Sequence, residues 1–187
     1  MEKDKTEGLI EAGINYLKLY GAGFSVDELC AKSGISKKTF YTYFESKSVF
    51  LEKILTEIVN GWRSATHNNL GTGKDIKNSC LTIITYHIDE LLGFNSGFLR
   101  NLRTKFPKES IIIDNYYEEL TGNLLSIFVK GQKNNLVKKH YNLNIFLKKE
   151  KVFFEYLLFN ENIFQQKEDY LKLLSLSVEG ILIKDNP

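Results

Sequence analysis

Proline is nearly missing from this chain, with two residues in 187. No Pro-, Gly- or Ser-rich linker occurs either, so two domains, if present, are fused through a helix rather than tethered. Cysteine is equally scarce. Cys30 and Cys80 stand alone without CxxC spacing, which excludes a disulfide framework and a cysteine-based zinc site and fits a reduced, cytoplasmic setting. No uncharged apolar run of membrane-spanning length and no leader peptide is visible. Arginine is absent from the first 60 residues, where eight lysines (3, 5, 18, 32, 37, 38, 47, 53) face nine acids (2, 4, 7, 11, 27, 28, 45, 52, 57), so 8 − 9 = −1. The whole chain carries only +2. Any nucleic-acid binding must therefore come from a few placed lysines, not from bulk charge. His67, His87 and His140 lack i, i+4 partners. No Gly-rich phosphate loop, nucleophile elbow or HExxH motif appears. Asp114, Glu118 and Glu119 read as a solvated acidic face. An enzyme is not expected, nor a metal, nor a cofactor.

What is present is apolar and helical. Hydrophobic residues make up 43% and aromatics 13%, enough for a packed core. The most informative stretch is Phe24 to Leu51. Ser25-Val26-Asp27-Glu28 is a capping box that opens a short helix, with Val26 and Leu29 on one face. Gly34 stops it, and Ser36 caps a second helix whose inner face holds Phe40 and Phe44. The outward face then carries Ser36, Lys37, Lys38, Thr39, Tyr41 and Tyr43, and Lys47 opens the next helix after Ser46. Lysines in a first helical turn oppose the helix dipole by a few tenths of a kcal/mol each, roughly, and a docked phosphate relieves that. Such a helix-turn-helix presents its second helix to the major groove.

The same residues resemble the N-terminal DNA-binding domain of the TetR family of bacterial transcriptional regulators. Ser25-Val26-Asp27-Glu28-Leu29 is similar to that family's T-V-x-x-I-A opening. Gly34 through Phe44 resembles its G-V-S-x-x-T-hydrophobic-Y-x-Y/H-F core, and Ser46-Lys47 its closing S/N-K. Cys30, Ser33 and Lys38 depart from the pattern. The resemblance covers roughly the first quarter of the chain. It implies a helical body that binds a small molecule, releases DNA in response, and pairs with a second copy through its last two helices.

Helices are expected at about 2–21, 26–33, 36–43, 46–69, 75–93, 97–106, 108–131, 143–160 and 167–184, with turns at 68–73 and from 160 to 162. No strands are expected. Trp62, Tyr86, His87, Phe98, Arg103, Tyr116 and Phe128 are the candidates for an effector cavity, an apolar wall with few polar anchors. The last two helices are apolar on more than one side, so one face is free for a partner. Phe154, Leu158, Leu174, Val178 and Ile181 are the candidates for that dimer contact.

The expected architecture is all-α: a three-helix DNA-binding domain (1–48) fused through a long helix to a ligand-binding and dimerisation domain (49–187). The expected function is a cytoplasmic repressor that binds a pseudo-palindromic double-stranded DNA operator as a homodimer, and leaves it when an unidentified small molecule binds. No membrane partner is expected. The alternatives are an architectural DNA-binding protein without a ligand and, from another class, a small helical enzyme.

Overall fold

The computed structural model describes residues 2–70, 75–95, 97–159 and 163–183, and within these the side chains of 2–5, 157–159 and 163–166 lie outside the description. The expected turn at 71–73 and connection at 160–162 fall outside it too, as does the side chain of Leu158. Among the described residues the elements are α1 Glu2–Tyr20, a 3-10 turn Gly21–Gly23, α2 Val26–Lys32, α3 Lys37–Tyr43, α4 Lys47–Asn69, α5 Ile76–Leu92, α6 Phe98–Lys105, α7 Pro107–Lys133, α8 Leu143–Phe159 and α9 Ile163–Ile181. The all-α expectation holds. The sole departure among the described residues is one isolated antiparallel bridge, Val137 to Leu182.

Boundaries moved where local chemistry outweighed periodicity. Pro107 sets the expected break, with Phe106 before it outside the helical region, and the proline itself begins α7, because a first-turn proline has no amide to leave unpaired. The 3-10 turn after α1 was not expected. It is a tight Gly-Ala-Gly piece in which Gly21 adopts φ 66°.

The chain divides into two compact units, residues 1–62 with 92–116, and 63–91 with 117–187. In the first, Phe50 of α4 is fully buried and forms the hub of an aromatic cluster. Its ring lies 4.7 Å from Phe44, 5.1 Å from Phe40 and 6.4 Å from Phe24. Offset and edge-on rings at these distances add to area burial. α1 lies directly over the hub at Gly13, where a Cβ would collide with the Phe50 ring. Leu17, Leu29, Leu51, Ile54 and Leu55 complete this core. Val49, in the first turn of α4, is 41% exposed. A second aromatic group of this unit joins Trp62 to Tyr116 at 5.5 Å and to Phe94 at 6.4 Å, with Phe94 stacked on Phe98 at 4.3 Å.

The second unit is built from α5, the later turns of α7, α8 and α9. α5 buries Ile76, Cys80, Ile83, Ile84, His87, Ile88 and Leu91. α7 adds Leu120, Leu124, Ile127 and Phe128, and α8 adds Leu143, Phe146 and Leu147. The end of α9 is tied back by Lys138 N–H to the Ile181 carbonyl (2.9 Å), by Ile183 N–H to the Leu136 carbonyl (2.9 Å) and by Lys138 Nζ to the Gly180 carbonyl (2.8 Å). The Gly180 and Ile181 carbonyls are ones that a helix end leaves without partners. Burial pushes the Cys80 thiol up to about 12, consistent with a small core residue rather than a reactive one.

Four of the expected dimer-contact residues prove to be core of the single chain. Phe154, Leu174, Val178 and Ile181 are all buried. They hold α8 and α9 inside the unit, with Phe154 against Tyr170 at 6.1 Å and against Tyr117 at 6.0 Å. The apolar residues left outside belong to other rows of the same helices: Ile145, Val152, Phe153 and Tyr156 on α8, Leu173 and Leu176 on α9.

Candidate nucleic-acid interface

Local chemistry sets the two short helices. The Ser25 hydroxyl accepts the Glu28 N–H at 3.1 Å and the Glu28 carboxylate accepts the Ser25 N–H at 3.0 Å, closing the capping box. That amide bond holds the exposed Glu28 carboxyl below its usual range. At the other end of α2, Gly34 takes φ 66° and Ile35 N–H reaches the Cys30 carbonyl at 3.1 Å. This is the 6→1 bond of a Schellman motif, and its left-handed residue favours glycine. Ser36 caps α3 by accepting the Thr39 N–H at 3.0 Å, and its hydroxyl also meets the Thr39 hydroxyl at 2.9 Å. Ser46 does the same for α4, accepting the Val49 N–H at 3.1 Å.

These caps phase α3. Phe40 and Phe44 point into the aromatic cluster and are buried, as is Leu29 of α2. Val26, expected to be buried, is half-buried, since it sits in the first turn of α2 at the margin of the core. Outward, Lys37, Lys38 and Tyr41 are exposed, and Thr39 and Tyr43 are half-exposed. Tyr41 leaves 51% of its surface free while its ring edge rests on Phe40 at 5.3 Å. Thr42, exposed on the same face, was not singled out from the sequence. Its hydroxyl donates to the Lys38 carbonyl at 2.9 Å, and a lone threonine between two tyrosines gave no signal. Lys37 pairs with Asp27 across the two helices at 2.5 Å. Both side chains are largely solvated, so the pair contributes at most about 1 kcal/mol.

Lys47 does not follow the expectation. It is half-buried, and its ammonium turns inward to donate to the carbonyls of Ala22 and Phe24. The rings of Phe24 and Phe106 lie 4.5 and 5.0 Å from it. The physical reason is proximity: the chain turn after α1 leaves carbonyls without helical partners beside the first turn of α4.

The residues expected to line an effector cavity separate into two sets. Trp62, Phe98 and Tyr116 are buried in the first unit and pack in the aromatic group already described, while Arg103 pairs with Asp114 at 2.5 Å. His87 and Phe128 are buried in the second unit, and Tyr86 is half-buried there. Phe128 packs on Phe146 at 5.5 Å. His87 Nε2 bonds the Thr66 hydroxyl at 2.9 Å, and burial lowers its pKa to about 4, so the ring is neutral. A groove of about 590 Å³ runs between α7 and α8, with Thr121, Leu125, Leu147 and Lys151 among its walls. None of the seven candidates lines that groove.

A sequence model described as "Bacterial regulatory proteins, tetR family" matches residues 9–54, the span that contains the capped helix-turn-helix and its supporting helix. Over that span the chain is similar to the N-terminal domain of the TetR family. No curated protein sequence matches it. Solved structures extend the likeness over the whole chain. The reduced form of NemR from E. coli is 16% identical with TM-score 0.75, covering 98% of this chain and 100% of that one. The fatty acid degradation regulator FadR from Bacillus halodurans is 14% identical with TM-score 0.70, covering 94% and 93%. A regulatory protein TetR from Rhodobacter sphaeroides is 15% identical with TM-score 0.71, covering 95% and 98%. At such identities the likeness shows the fold alone. The matched span is that of bacterial regulatory proteins of the tetR type, and the fold over the whole chain is shared with proteins described as TetR-family transcriptional regulators. Among the described residues, no helix is long and apolar enough to cross a membrane.

Proposed function

We propose that the protein is a repressor that binds a pseudo-palindromic DNA operator as a homodimer and leaves it when a small molecule binds the helical body. The outward face of α3 carries this reading. Two lysines, two tyrosines and two threonines share one surface of a helix that is anchored behind by Phe40 and Phe44 and capped in front by Ser36. Ser36, Lys37, Lys38, Thr39, Tyr41 and Tyr43 are the proposed DNA contacts, lysines to phosphate and the rest to phosphate or base edges. Residues 1–48 read DNA in this scheme and 49–187 bind the effector and the second copy. The setting is the cytoplasm, where DNA is.

The second copy meets the apolar rows that the single chain leaves exposed: Ile145, Val152 and Tyr156 on α8, Leu173 and Leu176 on α9. Stable dimers bury about 1,200–2,000 Å² or more in total, and two such helices from each chain offer that area. Dimerisation is what lets so few lysines suffice, because two half-sites are engaged at once. An architectural DNA-binding role without a ligand is the second reading. It is favoured by the close mutual packing of Trp62, Tyr116 and Phe128 with their aromatic neighbours, which makes them core rather than cavity wall.

Selection of bound duplexes from a random pool tests the proposal. A repressor of this kind enriches an inverted repeat with half-sites about one helical turn apart. Binding without sequence preference at any salt concentration defeats it in favour of the architectural reading.

A further inference from the structure

We propose that the trough between α1 and the α2–α3 turn is a second ligand site, which takes a small carboxylate with a flat apolar body beside the DNA-reading helix. It lies apart from the effector site proposed for the body, and only its effect on DNA rests on the DNA-binding reading above.

The trough measures about 790 Å³, within the range of about 300–1,000 Å³ that small-molecule sites occupy. One wall is a stripe of α1, where Gly8, Ala12, Tyr16 and Leu19 follow at helical spacing. Gly8 and Ala12 are too short to fill the space, and a Cβ at Gly8 would meet nothing within 4 Å. Leu19 leaves 64% of its surface free, an apolar side chain that the rest of the chain does not cover. The other wall is the turn from Lys32 to Ser36, followed by Thr39. Gly34 forms the bend of that turn with φ 66°.

Charge and hydrogen bonding select the ligand. Among the described residues that line the trough, Lys32 is the only charged one, so no carboxylate of the chain stands there to neutralise it. Its ammonium lies 5.9 Å from the centroid of the Tyr16 ring. The Tyr16 hydroxyl is directed to the Glu28 carbonyl at 3.4 Å, which holds that ring in the wall. The Ser33 hydroxyl, next to Lys32 in the turn, is buried and has no hydrogen-bond partner among the described residues. An unsatisfied buried hydroxyl costs free energy, and rotation about one side-chain bond brings it to an acceptor in the trough. Asn15 adds an amide. One cation, one hydroxyl and one amide set among apolar side chains match a single carboxylate joined to an apolar ring. A bare phosphate would leave Ala12, Leu19 and Ile35 uncovered. Ser36 and Thr39 line the same trough and are proposed DNA contacts. A ligand bound there competes with the duplex for that surface directly, without any signal from the body.

Titration of the full chain with 1-naphthoate, followed by the NMR shifts of backbone amides, tests the site. Shifts are expected at residues 8–19 and 32–39, with the neutral 1-naphthamide binding about tenfold more weakly. Lys32→Met is expected to weaken 1-naphthoate binding by about tenfold as well. Leu19→Ser, at an exposed position that leaves folding intact, is expected to weaken it by about threefold. Shifts confined to residues 76–181, equal binding of the acid and the amide, or unchanged affinity in Lys32→Met each overturn the site. In a duplex-binding assay, 1-naphthoate is expected to lower the affinity of wild type and not that of Lys32→Met. Duplex affinity left untouched despite shifts in the trough refutes the competition. If Lys32→Met instead cuts the salt slope by about 0.9 while 1-naphthoate causes no shift, the lysine holds DNA phosphate and the ligand site falls. If wild type binds no duplex at all, the DNA-binding reading falls, and the amide shifts still judge the trough.

Discussion

In α3 the side chains that escape burial are lysines, threonines and tyrosines, while both phenylalanines go inside. In α8 and α9 the side chains that escape include isoleucine, valine, leucine and two aromatics, with leucines, phenylalanines and Val178 behind them. Water solvates the first surface without cost. The second surface is apolar on both sides, and its outer rows gain only when something covers them. The contrast separates two kinds of interface. In the proposed function the first meets a polar, charged groove and the other a second apolar surface.

Substitutions on adjacent rows of α9 break the comparison most forcefully. Leu174 is 2% exposed and Leu176 is 63% exposed. An aspartate at 174 leaves an unpaired charge in the core, costing about 3–5 kcal/mol, and thermal denaturation should show a protein mostly unfolded at 37 °C. An aspartate at 176 should leave the melting curve of the single chain nearly unchanged but shift sedimentation from dimer to monomer. A dimeric Leu176→Asp protein would mean that the outer row of α9 is not the contact.

The matching pair on α3 is Phe40 and Tyr41. Phe40→Ala opens a void beside Phe50 and Phe44 in the aromatic cluster and should cost about 3–5 kcal/mol in denaturant unfolding. Tyr41→Ala should change stability by less than about 0.5 kcal/mol, yet weaken duplex binding. Equal stability losses from the two would erase the inside–outside distinction drawn for this helix.

His87 carries the comparison into the interior of the second unit. Its folded pKa lies near 4, below the ordinary 6.5. The unfolded chain therefore takes up the proton first as pH falls. Stability is retained above 6.5 and lost between 6.5 and 4, by at most about 3 kcal/mol. Unfolding free energies measured across that range should show the slope in wild type and lose most of it in His87→Gln. An unchanged slope would assign the effect to other groups.

The smallest expected effect lies at the solvated surface of the reading head. Asp27→Asn removes the partner of Lys37, and the pair is exposed on both sides. Stability should fall by less than about 1 kcal/mol. Duplex affinity should rise slightly, because Lys37 is released and a negative charge beside the DNA face is gone. A loss of affinity instead would make Asp27 an orienting partner of Lys37.

Much of this was legible in the residues because it is local. Capping boxes, the glycine stop at 34 and the i, i+4 phenylalanines of α3 act over a few positions, and one polar and one apolar face leave a single way to orient the helix. The helical nature of α8 and α9 was legible for the same reason. Their phase was not. With apolar residues on several rows, periodicity offers no means to rank Leu174 over Leu176. The choice falls to the row that includes Tyr170, whose ring packs on Phe154 of α8 in three dimensions.

The sequence by itself determined the helices, the helix-turn-helix and the face of α3 turned to solvent, since each follows from spacing and capping within one turn or two. Only the tertiary structure decided where Lys47 points, which apolar row of α9 is core, and that Trp62 and Tyr116 pack on each other. Those outcomes depend on residues 16 to 59 positions apart in the chain, from Phe154 and Tyr170 (170 − 154 = 16) to Lys47 and Phe106 (106 − 47 = 59). No local pattern encodes such a meeting, because its energy exists only once both partners have been brought together.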